Sequence, residues 1–198
     1  MSTVTISDTP FVGNDRLLVG IVLSVLTFWL FAQSVINVVP AMKSSLDISL
    51  ETLTLAVSLS ALFSGCFVVA SGGLADKFGR MRMTTLGLGL SIVGSAMLVI
   101  AQGPWLFLAG RVLQGLSAAC IMPATLALIK TWYEGRARQR AVSFWVIGSW
   151  GGSGLCSFVG GAIATGLGWR WIFVFSIAVA LLALFLLRGT PESRSASA

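Results

Sequence analysis

Arg111 is the residue of this 198-residue sequence whose position most needs a chemical reason. It stands inside an apolar run, and Arg111, Gln114, Gly115, Ala118 and Met122 recur at helical spacing, so one helix face carries a cation, an amide and small side chains. A charge held in so apolar a stretch is costly and marks a cavity or a polar network. About six residues past Trp105 at ~1.5 Å each, it lies roughly 9 Å below one end of its helix. Gln33 and Asn37, seven and three residues before Pro40, sit at comparable depth and are expected to face the same interior space. The alternative is a lipid-facing Arg111 that snorkels to the interface; the polar and small face around it argues against that. The sequence has no histidine, so proton uptake near neutral pH falls to its seven carboxylates. Asp8, Asp15 and Glu192 lie in polar tails, Glu134 in a basic loop and Asp76 in a charged knot, leaving Asp47 and Glu51 at the mouth of a helix. Glu51, in a first helical turn, either binds a proton or merely complements the helix dipole. No apolar run contains a nucleophile and base pair or a metal-binding set, so an enzyme is not expected.

The elements that position these residues are membrane spans. The chain is 56% hydrophobic and only 10% charged, with a mean hydropathy of +0.93, against about 25% charged in soluble domains. Its net charge of +6 does not imply nucleic acid, because the basic residues sit in short links between apolar runs. Cys66, Cys120 and Cys156 fall within the runs without metal spacing, and read as small buried apolar residues. The expected fold is all-α and integral to the membrane, with six helices at about 17–39, 50–74, 83–101, 105–129, 141–165 and 169–187. Polar tails cover 1–16 and 188–198. Pro40 is expected to open the first outer loop, Ser49 to cap the second helix, and Trp105 to anchor the fourth at an interface. Spans three and six, nearly free of polar side chains, are expected toward lipid, and spans one and four toward the interior.

Charge sets the orientation. With the N-terminus in the cytoplasm, the inner side receives Arg16, Lys77, Arg80, Arg82, Lys130, Arg136, Arg138, Arg140, Arg188 and Arg194, and the outer side only Lys43 and Arg170. Both termini are therefore expected to be cytoplasmic. Between the uncharged runs Thr52–Ala75 and Met83–Gly110 lies the knot Gly72-Gly73-Leu74-Ala75-Asp76-Lys77-Phe78-Gly79-Arg80-Met81-Arg82, a tight turn in which Asp76 is expected to accept backbone N–H bonds from the next helix. A fainter echo follows: Gly72 and Gly79 flank six residues with Arg82 just beyond, and Gly161 and Gly168 flank six with Arg170 just beyond.

The knot resembles the loop signature of the major facilitator superfamily, matched here by Gly72, Leu74, Ala75, Asp76, Lys77, Gly79 and Arg80. A second signature of that family, Arg-x-x-Gln-Gly-x-Gly/Ser-Ala-Ala, is matched by Arg111, Gln114, Gly115, Ser117, Ala118 and Ala119. The resemblance implies a cytoplasmic gate at Asp76 and a role for Arg111 in proton transfer or substrate-coupled gating. Gly152, Cys156, Ser157, Gly160 and Gly161 stand where antiporters carry Gly-x-x-x-Gly-Pro-x-x-Gly-Gly; Cys156 and Ser157 replace the Gly-Pro pair, so its hinge is not carried over. The end of span one lacks the acid of the drug-exporter motif, so that acid's role is not carried over either. With Phe28–Ser34 and Ser149–Gly154, the chain resembles the Nor-type quinolone and multidrug efflux pumps among the fourteen-helix drug:proton antiporters, over their N-terminal half. The resemblance implies a three-plus-three half of that fold, driven by the proton gradient without a cofactor, in a bacterial plasma membrane. Its expected partners are lipid, protons, small amphipathic drugs, and a second half-transporter or a second copy. The alternative is a truncated membrane module that associates with other chains without transporting.

Overall fold

A long uncharged run can satisfy its backbone in hydrocarbon only by bonding it internally, as helix. The computed structural model describes residues 11–194 and, for residues 33–37, the backbone alone. Its elements are α1 (Asp15–Leu46), α2 (Leu50–Phe78), α3 (Arg80–Ile100), α4 (Pro104–Trp132), α5 (Gly135–Val146), a π-helical turn (Ile147–Gly151), α6 (Gly152–Gly166) and α7 (Arg170–Leu187). The stretch from α5 through the π turn to α6 is continuous and forms one crossing, giving six crossings long and apolar enough to span a membrane. Among the described residues there is no strand.

Asn14 caps α1 by accepting from the Leu17 N–H at 2.8 Å, and Ser49 caps α2 by accepting from the Thr52 N–H at 3.2 Å. Two expected loops are helical instead. α1 passes through Pro40 and ends at Asp47, which takes the left-handed conformation (φ 51°); membrane helices tolerate proline because neighbouring groups compensate for its missing donor. Arg136, Arg138 and Arg140, expected in a loop, lie on the first turns of α5. Asp15, expected in a tail, opens α1.

The charged knot is helix on either side of one residue. α2 continues to Phe78, α3 begins at Arg80, and Gly79 between them takes φ 123°. Gly168, between α6 and α7, takes φ 102°. The later glycine of each pair in the sequence echo thus sits at a helix-to-helix turn, in a backbone region open to glycine and strained for other residues.

Glu192 occupies the place expected for Asp76. The N–H groups of Met81 and Arg82 donate to its two carboxylate oxygens at 2.9 and 3.0 Å, and the Arg80 N–H donates to the Ser193 carbonyl at 3.0 Å. Asp76 is engaged instead by the Arg80 side chain, at 2.8 and 3.1 Å. At the far end of α3, Arg170 donates to the carbonyls of Val99 and Ala101 at 3.1 and 3.0 Å. α3 therefore carries an anion at its positive pole, from the segment after α7, and a cation at its negative pole, from the first residue of α7. Glu192→Ala is expected to lower stability by about 1 kcal/mol, and Glu192→Gln by less, because an amide keeps one acceptor. Thermal unfolding in detergent measures both; an unchanged midpoint for Glu192→Ala would show that the cap contributes nothing.

α4 packs against α2 and α3, and α1 against α6 and α7. One apolar cluster gathers Phe31, Met42, Leu98, Phe107 and Phe173, and a second gathers Ile21, Val25, Leu88, Leu128 and Leu187 toward the other end. Crossings α4 and α1 are the most buried, as expected of interior helices. The most exposed are not α3 and α7 but α2 and the α5–α6 crossing, with 17% and 28% of their most apolar 18-residue stretches buried against 61% in that of α4. Leu55, Leu62, Phe67 and Val69 on α2, and Ile147, Trp150, Leu155 and Phe158 on the fifth crossing, form two uncovered apolar faces.

Candidate functional site

α4 starts with Pro104, whose missing N–H costs nothing in a first turn, and with Trp105 largely exposed. Two turns further in, Arg111 is fully buried, the largest side chain with no exposure among the described residues. Its Nη1 donates to the Phe31 carbonyl of α1 and to Gln114 Oε1, both at 2.8 Å. Nη2 donates to Ser60 Oγ at 2.7 Å and Nε to the Ala56 carbonyl at 3.3 Å, both on α2. Gln114 Nε2 passes the network on to Ser95 Oγ of α3 at 3.2 Å. One guanidinium thus joins α1, α2 and α4, and its amide neighbour adds α3. The snorkelling alternative is excluded by zero exposure.

The acceptors around Arg111 are all neutral, and among the described residues no carboxylate pairs with it. A cation solvated only by carbonyls, a hydroxyl and an amide keeps its charge but cancels none of it, so its field reaches any carboxylate or anionic group brought nearby. Arg111 reaches α1 through the backbone carbonyl of Phe31. Gln33 and Asn37 lie outside the described side chains. Glu51 is exposed in the first turn of α2. Depth places it well away from the Arg111 network: five residues of α2 separate it from Ala56, about 7 Å of helix.

Gly115 sets how closely α2 and α4 approach. A methyl group there would collide with the Ser60 carbonyl oxygen and lie 3.0 Å from the Ser60 Cα and 3.1 Å from the Phe63 Cβ. Because backbone atoms cannot step aside, Gly115→Ala must part the helices and draw Ser60 away from Arg111. A loss of about 1–3 kcal/mol is expected, read as a lower unfolding temperature; a wild-type midpoint would show that the approach has slack.

The antiporter-like residues of the fifth crossing divide between two sides. Gly152, Cys156 and Gly160 are buried, and a methyl at Gly152 would press on Leu26 and Trp29 of α1. Cys156 Sγ donates to the Leu26 carbonyl at 3.8 Å. Ser157 is half-buried, and Gly161 has open space where a side chain would go. The π turn just before them is invisible in composition. Of the cysteines, Cys120 and Cys156 are buried as expected, whereas Cys66 is exposed on α2; none of the three is in a disulfide.

At the α2–α3 turn, Arg80 binds Asp76 with two nitrogens and reaches Thr131 at the end of α4 with the third. Asp76 keeps 44% of its side chain exposed. Gly72 and Ala75 face inward, Gly72 toward Pro123 of α4, while Leu74, Lys77 and Phe78 point outward. The seven signature residues thus form one corner, tied to α4 on its inner side and open on its outer side.

The sequence profile of the Major Facilitator Superfamily matches residues 17–198. The chain belongs to the major facilitator superfamily. Over 191 residues it is 61% identical to the quinolone resistance protein NorB of Staphylococcus aureus, strains JH9 and Newman, matching 96% of this chain and 41% of those proteins. It therefore spans about two-fifths of the length of the curated relatives it matches. The proton:xylose symporter XylE superposes with a TM-score of 0.79 at 18% identity, over 90% of this chain and 45% of that one. The peptide transporter POT in complex with sulfate superposes with a TM-score of 0.77 at 18% identity, over 89% and 37%. At such identities these structures speak for the fold, and they match it with less than half of their own lengths. The chain is a multipass membrane protein of a transporter superfamily.

Proposed function

We propose that this chain forms the N-terminal six-helix half of a proton-coupled antiporter exporting amphipathic, often cationic drugs of the quinolone and multidrug type across a bacterial plasma membrane. The observation that carries the reading is the 61% identity to NorB across 96% of this chain. The uncovered faces of α2 and the fifth crossing support it, since a second six-helix unit, or a second copy, would bury them. In this reading the two units rock against each other around a site at mid-membrane. Arg111 acts from behind that site, holding α1, α2 and α4 in register and lending its charge to a titrating carboxylate of the complete transporter. Glu51 is the carboxylate this chain offers for the proton at the outer mouth, and the proton gradient is the energy source.

Accumulation of a fluorescent quinolone in cells tests the reading. Cells making the chain together with a C-terminal six-helix half from a NorB-type pump are expected to hold several-fold less drug than cells making either half alone, and a protonophore should erase the difference. Equal accumulation with both halves assembled would favour the non-transporting module.

The orientation is tested separately. On a background lacking Cys66, Cys120 and Cys156, thiols introduced at Lys43 and Gly103 are expected to react with an impermeant maleimide added outside, and a thiol at Arg138 only after the membrane is opened. Outside labelling at Arg138 would reverse the topology, because it would put the basic links on the outer side.

A further inference from the structure

Two cavities on the α1 surface share Leu23 and make one furrow. The first, of about 340 Å³, lies between α1 and α5, with Leu18, Val22 and Phe144 on its walls and Asp15 and Arg140 at its mouth. The second, of about 150 Å³, continues along α1 past Leu26 to Leu30 between α6 and α7, and every residue lining it is apolar or a cysteine. From Leu18 to Leu30 is about 18 Å of helix, against roughly 15 Å for the hydrocarbon of one leaflet. The furrow is thus one leaflet deep, charged at its mouth and apolar below, which is the outline of a single lipid acyl chain beneath its headgroup.

The mouth selects among headgroups. Arg140 pairs with Asp15 at 3.3 Å, but both side chains are mostly exposed, 61% and 76%, so solvent screens the pair and a competing anion can displace it. The neighbouring cations are committed elsewhere: Arg16 donates to the Phe185 carbonyl, and Arg138 to the carbonyls of Tyr133 and Lys130. Arg140 is held over the furrow by its contact with the Phe144 ring, 5.7 Å from guanidinium to centroid. Its planar fork matches the two oxygens of a phosphate. Asp15 is the one acid lining the furrow, and Arg16 beside it on α1, with Arg136 and Arg138 ahead of Arg140 on α5, leave the two helix ends that flank the mouth positive on balance. A basic mouth over an apolar channel favours an anionic headgroup over a zwitterionic one.

We propose that this furrow is a binding site for an anionic phospholipid of the leaflet on the side of the N-terminus, with its phosphate on Arg140 and one acyl chain along Leu23 to Leu30. The site is independent of which drug, if any, the protein exports. The lipid seals the seam between α1 and the fifth crossing, the crossing with the π turn, so its occupancy bears on how firmly that crossing is held.

Native mass spectrometry of the full 198-residue chain, delipidated in mild detergent and titrated with dioleoylphosphatidylglycerol or dioleoylphosphatidylcholine, tests the site. One phosphatidylglycerol is expected to bind with roughly fivefold preference, the factor one interfacial arginine contributes. Arg140→Gln should reduce the preference to near parity, whereas Arg136→Gln, on the same helix but away from the furrow, should leave it intact. Leu23→Trp, which plugs the shared segment, should weaken binding of both lipids. A phosphatidylglycerol bearing a photoreactive acyl chain should label Leu23–Leu30 and Leu155–Val159 above the rest of the chain. Equal affinity for the two lipids, a preference that survives Arg140→Gln, or label spread evenly over the exposed faces of α2 and α3 would each overturn the proposal. The arginine variants change exposed side chains, so a failure of Leu23→Trp to fold would leave the decision with them.

Discussion

Arg111→Met is expected to leave the six helices assembled while removing at least about two orders of magnitude of gradient-driven drug flux from a complete two-half transporter. The split follows from what Arg111 touches. Its carbonyl acceptors, Phe31 and Ala56, lie inside continuous helices, and Ser60 Oγ also donates to the Val57 carbonyl at 2.9 Å. Removing the guanidinium therefore orphans little except Gln114 Oε1, while it ends the cost of a buried charge with neutral partners. An apolar side chain of similar length fills the space, and such a swap costs below about 1.5 kcal/mol; replacing buried charge by well-packed apolar atoms is often neutral or better. Arg111→Ala should instead lose about 2–5 kcal/mol, because it adds a cavity. Arg111→Met with Gln114→Leu removes both ends of the remaining bond and should be at least as stable as Arg111→Met alone. Lysine is not a conservative choice here, since a point charge cannot span α1, α2 and Gln114 together. Unfolding temperature and liposome flux, measured side by side, decide the matter. If the methionine variant fails to assemble even beside Gln114→Leu, Arg111 is a structural staple; if it transports normally, its charge plays no part in coupling.

The parts of this architecture that could be read in the sequence are those in which a residue is out of place in its own segment. Arg111, Gln114 and Gly115 announce an interior face because a charge, an amide and a glycine recur at helical spacing in an apolar run. The six crossings follow from run length. The charged corner at Asp76 follows from fixed residue types between two such runs. What could not be read depends on partners distant in the chain or on a change of hydrogen-bond register that composition does not record. Glu192 lies in a polar tail and gives no sign that it will cap a helix 110 residues earlier. Arg170 looks like an outer-loop charge until its bonds to Val99 and Ala101 are seen. The π turn at Ile147–Gly151 sits in a glycine-rich stretch that an ordinary helix would also accept. Pro40 was misleading in the opposite direction: a signal for a helix end in water is weaker where no solvent competes for the backbone.

Reconstituted alone in liposomes with an imposed proton gradient, the 198-residue chain is expected to show no drug flux above protein-free liposomes. The reason lies at the Asp76 corner. Family resemblance assigns that acid to a cytoplasmic gate, where a carboxylate faces the N-terminus of a helix in the opposite half, a contact of about 0.3–1 kcal/mol when exposed and up to ~2 when partly buried. Among the described residues Asp76 meets only Arg80 of its own corner, and its side chain stays 44% exposed. The helix N-terminus beside it, that of α3, is already held by Glu192. Asp76 thus lies on an open edge beside the uncovered face of α2, where a helix end of a second unit can reach it. In a two-half protein, Asp76→Asn should keep Arg80 in place through a neutral hydrogen bond and leave assembly near wild type. It should slow transport several-fold, since the amide keeps the shape of the carboxylate but loses its attraction to the dipole. Cross-linking yield between the halves reports assembly and flux reports the gate, so loss of both in parallel would make Asp76 a packing residue. Robust gradient-driven flux from the chain alone would show that two copies complete each other, with Asp76 of each copy finding its helix end across a symmetric interface, and would end the half-transporter reading.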